Sequence, residues 1–119
     1  MLAALPQLRE LDLGATRFDD KGLPGLGKLA GLKTLRLSYT EITDGGMKGV
    51  EGLEKLESLQ LAGTDIGDNS MERIARFTGL RELVLNQTRF SDKGLAALKP
   101  LVNLERIEMF RTRAGNAGA

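Results

Sequence analysis

Leucine stands at positions 8, 32, 56, 80 and 104, always 24 residues apart, with no insertion or deletion between them. Around each, the chain rewrites one template, LxxLxLxxTxIxDxGLxxLxxL. All 28 apolar places of the four complete copies, seven per copy, hold Leu, Ile, Val, Met or Phe. A chain that is 41% hydrophobic does not produce this by chance. A fixed period of this length means that one supersecondary unit recurs, so the repeat constrains the fold more than any single element does.

Each copy changes its periodicity part-way. The early part, LRELDL or LKTLRL, alternates apolar and polar with period two, the mark of a short strand buried on one face. After a turn the apolar spacing becomes three, as in Met71, Ile74 and Phe77, the mark of a short helix with one apolar stripe. Units of this size cannot bury their faces alone. Consecutive copies must therefore stack, with parallel strands about 4.8 Å apart, into an α/β solenoid.

LxxLxLxxT followed by a helical half resembles the leucine-rich repeat family, and the TxITDxGL-type second halves are similar to those of bacterial members. The likeness covers nearly the whole chain. Thr16, Thr40, Thr64, Thr88 and Thr112 stand where the family usually has Asn or Cys. The resemblance implies a right-handed solenoid with a parallel sheet on its concave face, short helices on its convex face, and protein recognition as the commonest activity.

Residues 1–119 are read as one leucine-rich repeat domain with copies starting near 8, 32, 56, 80 and 104, the last incomplete. LAALPQL at the start matches LKPLVNL at 98–104, and TRAGNAGA at the end matches TRFSDKGL. Neither terminus carries a polar capping unit of the kind that closes repeat arrays, so the expectation is a fragment of a longer array. Self-association through the ends is expected, because Leu2, Leu5, Leu11 and Leu13 at one end, and Ile107 and Met109 at the other, lack a covering copy.

Seventeen Lys and Arg against 16 Asp and Glu leave a net charge of +1, which gives no field to draw in nucleic acid or an anionic membrane. No apolar run reaches the roughly 18 to 20 residues that span a bilayer. With no Cys and no His, disulfides, thiol nucleophiles and the usual general base are absent, and no cofactor or metal is expected. The reading is non-enzymatic.

Three columns recur at the 24-residue period. The threonines are expected to turn inward and bond backbone groups where each strand ends. Asp20, Asp44, Asp68 and Asp92, with Asn116 in the fifth place, stand just before each helical stripe and are expected to be N-caps rather than metal ligands or paired acids. Gly22, Gly46 and Gly94 lack the Lys-Thr/Ser continuation of a phosphate loop and are expected to allow close stacking. Pro24 and the glycines of GLPGLGKLAGL predict an irregular, tightly wound first convex segment.

Alternation sends the remaining strand positions to the concave face. Next to these stand Tyr39, Gln87 and Arg111, and from the whole set Asp12, Arg36, Tyr39, Gln60, Glu82, Asn86, Glu108 and Phe110 form the expected partner-binding surface, with the two aromatics as anchors for a protein partner. The alternatives are a purely structural spacer within a larger bacterial protein and a solvated face with two isolated aromatics.

Overall fold

A computed structural model describes residues 8–112. Five three-residue strands, β1 (Glu10–Asp12), β2 (Thr34–Arg36), β3 (Ser58–Gln60), β4 (Glu82–Val84) and β5 (Arg106–Glu108), form one parallel sheet in sequence order. Every pairing joins residue i to residue i+24, so Leu11, Leu35, Leu59, Leu83 and Ile107 stack in a single column. The 24-residue sequence period thus becomes the lateral step of a right-handed leucine-rich repeat solenoid, with the sheet concave and the helical halves convex.

The strands are short because each runs into a left-handed turn. Ala15, Tyr39, Gly63, Gln87 and Arg111, again one column, have φ of 59, 59, 66, 60 and 59°. Only one of the five is glycine, so four turns carry the steric cost of a side chain in that region. The following threonine holds each turn. Thr16, Thr40, Thr64 and Thr88 donate through Oγ1 to the carbonyls of Leu13, Leu37, Leu61 and Leu85 at 2.6–2.7 Å, and Thr112 donates to Met109 at 3.0 Å. Thr40, Thr64 and Thr88 are buried. The inward orientation expected of this column is observed at these three, while Thr16 is exposed and Thr112 half-buried.

Beyond the turn a second, sparser ladder joins the copies. Glu41, Asp65 and Arg89 N–H groups donate to Phe18, Ile42 and Ile66 carbonyls at 2.8, 3.2 and 2.9 Å. The chain then enters the convex side, through a 3₁₀ turn (Asp20–Gly22) leading into α1 (Leu23–Leu26), then a 3₁₀ segment (Asp44–Val50), then α2 (Asp68–Ile74) and α3 (Asp92–Ala97). The first convex segment is tightly wound, as its composition predicts, and the second is more so. A methyl on Gly27 would fall 2.0 Å from Gly49 O, so these two glycines let the first two convex segments touch backbone to backbone.

Between sheet and helices lies one continuous core. Leu35, Leu59 and Leu83 from the strands meet Leu26, Met47, Met71 and Leu98 from the convex side, with Phe77 and Phe90 the bulkiest buried members. Among the described residues no helix is long and apolar enough to cross a membrane.

The aspartate column departs from expectation. The N-cap positions belong to the preceding residues Asp19, Thr43, Gly67 and Ser91; Asp19 accepts from Lys21 N–H at 3.1 Å and Ser91 from Lys93 N–H at 3.3 Å. Asp20, Asp44, Asp68 and Asp92 are the first helical residues, one place too late to reach the free N–H groups of their own turn. The first three reach the next copy instead. Thr43 N–H and Oγ1–H donate to Asp20 at 2.7 and 2.5 Å, and Ser91 N–H and Oγ–H donate to Asp68 at 2.7 and 2.6 Å. Asp44 takes Gly67 N–H at 2.9 Å and the Ser70 hydroxyl. Asn116 lies outside the described residues.

These carboxylates explain the glycines two places after Asp44 and Asp92, whereas Gly22 makes room for the Phe18 ring. A methyl on Gly46 would fall 2.2 Å from Asp20 Oδ1, and one on Gly94 would fall 2.4 Å from Asp68 Oδ1. At Asp68, burial pushes the carboxyl pKa up. The Ser91 hydroxyl, the Ser91 and Gly94 N–H groups and the charge of Lys93 more than offset this and hold it below its ordinary value.

Candidate functional site

The sheet register sorts the eight expected surface residues into rows. Asp12, Arg36, Gln60 and Glu108 lie in one row across the sheet, with Val84 between the last two. Glu82 lies in the row before, between Ser58 and Arg106. Asn86, Phe110 and Tyr39 stand at the exit from the strands, where the left-handed turns begin. The face is therefore shared by all eight, but their states differ.

Most of its charge is already spent within the chain. Arg36 Nη1 lies 3.3 Å from Glu10 Oε1, and Arg106 Nη1 lies 3.1 Å from Glu82 Oε2. Arg106 also pairs with Glu108. Glu82 accepts from Ser58 Oγ at 2.7 Å. Asp12 accepts from Gly14 N–H at 2.9 Å. Pairs as exposed as Arg36 and Glu10 contribute little stability, and the four carboxylates against two arginines leave the face slightly acidic.

Asn86 has a structural task that alternation does not reveal. Its Oδ1 accepts from Phe110 N–H at 2.7 Å and its Nδ2 donates to Glu108 at 3.1 Å. Ser38, two copies earlier, does the same for Ala62 N–H at 3.1 Å. Both side chains extend the sheet ladder by one bond. Ala62 and Val84, placed by alternation on the same face, are buried there to 5% and 9% exposure.

Two rings stand out from this face, Tyr39 at 56% and Phe110 at 71% exposure. The Tyr39 ring lies over Gly63, where a methyl would fall 2.3 Å from Tyr39 Cδ1, and the Tyr39 hydroxyl donates to Gln87 Oε1 at 3.0 Å. Gln87 is thus a part of the surface that the list of expected residues omits. The signal for it was its place in the same 24-residue column as Tyr39, two copies on.

The parallel sheet of strands at a 24-residue step, the left-handed turn and the convex helical return are the geometry of one fold. A family model described as Leucine Rich repeat matches residues 32–50 and 52–75. Over these residues the chain is similar to leucine-rich repeat proteins. The crystal structure of an internalin, inlF, from Listeria monocytogenes superposes with a TM-score of 0.82 at 22% identity over 95% of this chain and 32% of the internalin. Internalin C2 of the same species gives 0.70 at 23% identity over 91% of this chain and 54% of its own. A leucine-rich repeat protein of Leptospira interrogans gives 0.70 at 26% identity over 95% and 28%. The chain spans from about a quarter to about half the length of these bacterial structures. No curated protein matches it by sequence.

Proposed function

We propose that this chain is a non-catalytic recognition module that seats a protein partner on its concave sheet. Exposure of Tyr39 and Phe110 on a face whose charged groups are paired among themselves carries this reading. Large aromatics offer contact area at low entropic cost, and Asp12, Arg36, Gln60, Glu82, Asn86 and Glu108 supply polar groups on the same face. The net charge of +1 favours a protein over a polyanion as partner.

A second reading, a structural spacer in a larger bacterial protein, is favoured by one observation. Arg36, Arg106 and Asn86 already have partners inside the chain.

Affinity capture with the full-length protein separates the two. Alanine at Arg36, Tyr39 and Phe110 is expected to abolish capture of a specific protein while lowering the melting temperature only by the modest amount that loss of the Tyr39 to Gln87 bridge accounts for, while alanine at the convex residues Lys48 and Arg73 leaves capture intact. Loss of capture through the convex changes alone refutes the face, and capture indifferent to all five supports the spacer.

A further inference from the structure

The middle of the concave face carries no charge where the strands end. The exits of β2, β3 and β4 are Ser38 and Tyr39, Ala62 and Gly63, and Asn86 and Gln87, six uncharged residues that lie away from both sheet edges. The ionic groups on either side are taken up among themselves, Arg36 with Glu10 and Arg106 with Glu82 and Glu108. A charged group pressed onto this patch loses its water and finds no counter-charge within it, so the patch selects an uncharged ligand.

What the patch offers is one flat ring and a set of hydrogen-bond donors. The Tyr39 ring is pinned over Gly63 and, through its hydroxyl, to Gln87 Oε1, yet it stays 56% exposed, so a ligand meets it with little side-chain entropy left to lose. Beside it Ala62, the shortest side chain of its row, lies between Ser38 and Asn86. Asn86 uses both ends of its amide within the chain. Gln87 has committed only Oε1, which leaves its NH2 group to donate, and the Gln60 carboxamide on the same face makes no bond among the described residues. Ser38 Oγ accepts from Ala62 N–H, so its own proton remains to be given. Donors predominate.

A polyproline II segment answers each of these features. Proline is uncharged and has no N–H that would need an acceptor here. The carbonyls of the segment make no internal hydrogen bonds and are available as acceptors. Its conformation is formed before binding, and aromatic surfaces are what such segments dock on. One turn rises about 9 Å, close to the two inter-strand steps of about 10 Å from Tyr39 to Gln87. We propose that the Tyr39 to Gln87 saddle is a docking site for a proline-rich segment of the protein partner, received in the polyproline II conformation. This rests on the concave recognition function proposed above and names the chemistry that the face receives.

Capped hexaproline, which has no fluorophore, tests this by titration into the full chain, read by calorimetry and by the emission of Tyr39, the only tyrosine. Saturable binding is expected with hexaproline and none with capped (Gly-Ser)3, which is equally uncharged but flexible and rich in N–H groups. Gln60→Leu and Gln87→Leu are each expected to weaken hexaproline binding about fivefold. Gln60→Leu leaves the Tyr39 hydrogen bond in place, and thermal unfolding of both variants separates lost binding from lost folding. No binding of hexaproline at millimolar concentration overturns the proposal. So does binding indifferent to both glutamines, equal binding of (Gly-Ser)3, or binding of maltohexaose in place of hexaproline, which makes the patch a site for a neutral glycan. If hexaproline fails while capture of a partner still depends on Tyr39, the proline chemistry alone falls; if capture is also indifferent to Tyr39, the recognition reading falls with it.

Discussion

The hydroxyl of Tyr39 donates to Gln87 Oε1 at 3.0 Å across Gly63, so one side chain bridges two inter-strand steps, about 10 Å. Gly63 serves this bridge twice, by adopting φ of 66° and by leaving room for the ring. Gly63→Ala is expected to cost about 1–3 kcal/mol and to lift the ring from the sheet edge. Tyr39 is the only tyrosine and there is no tryptophan, so intrinsic fluorescence reads this site alone. Unchanged emission and an unchanged melting temperature would refute the packing described.

The hydroxyl that meets each aspartate moves by three residues between copies. At Asp20 and Asp68 it comes from the N-cap residue, Thr43 or Ser91, with glycine at 46 or 94. At Asp44 the N-cap is Gly67, and Ser70 supplies the hydroxyl instead. Ser70→Gly is therefore expected to destabilise by about 1–2 kcal/mol, and adding Gly67→Ser to recover most of it. A methyl at Gly67 meets Arg89 at 3.5 Å, an ordinary contact, so the second change is tolerated. Denaturant unfolding of the two single variants and the double variant completes the cycle, and strict additivity would contradict it.

Asp68 makes the acid response specific. Its folded-state pKa lies below the ordinary 3.8, so the stability it contributes is complete above that pH and is lost as pH falls through the folded value. Asp68→Asn is expected to be less stable than wild type at neutral pH, with the difference shrinking once the pH is well below 3.8. A difference constant from pH 7 down to 2 would show that the charge of Asp68 has no part in joining the copies.

Leu59 and Leu83 are adjacent in the strand column and fully buried. Alanine at either is expected to cost roughly 2–5 kcal/mol through the cavity left behind. Urea unfolding measures this, and a loss under about 0.5 kcal/mol would be incompatible with the inward assignment.

Repeat, core and strand were legible because the same residue types return to the same place, as Leu35, Leu59 and Leu83 do. The threonine column was legible for the same reason. The aspartates were not, since Asp68 looks like a cap within its own copy, and its true partner Ser91 is defined only after the copies stack. The left-handed column was hidden because Gly63 alone carries the usual signal, while Ala15, Tyr39, Gln87 and Arg111 do not. Asn86 read as exposed because alternation assigns a face and says nothing of whether a side chain is engaged there.

Asp20, Asp44 and Asp68 tie the first four copies each to the next, whereas the Tyr39 to Gln87 bond reaches past the adjacent copy. A linear array with only nearest-neighbour ties melts by fraying, one unit at a time from either side. A tie that spans three units makes them open together, so amide protons of β2, β3 and β4 are expected to exchange at one common rate, with β1 and β5 faster. Removing the hydroxyl with Tyr39→Phe would then spread that single rate into a gradient, turning a cooperative block back into a row of independent steps.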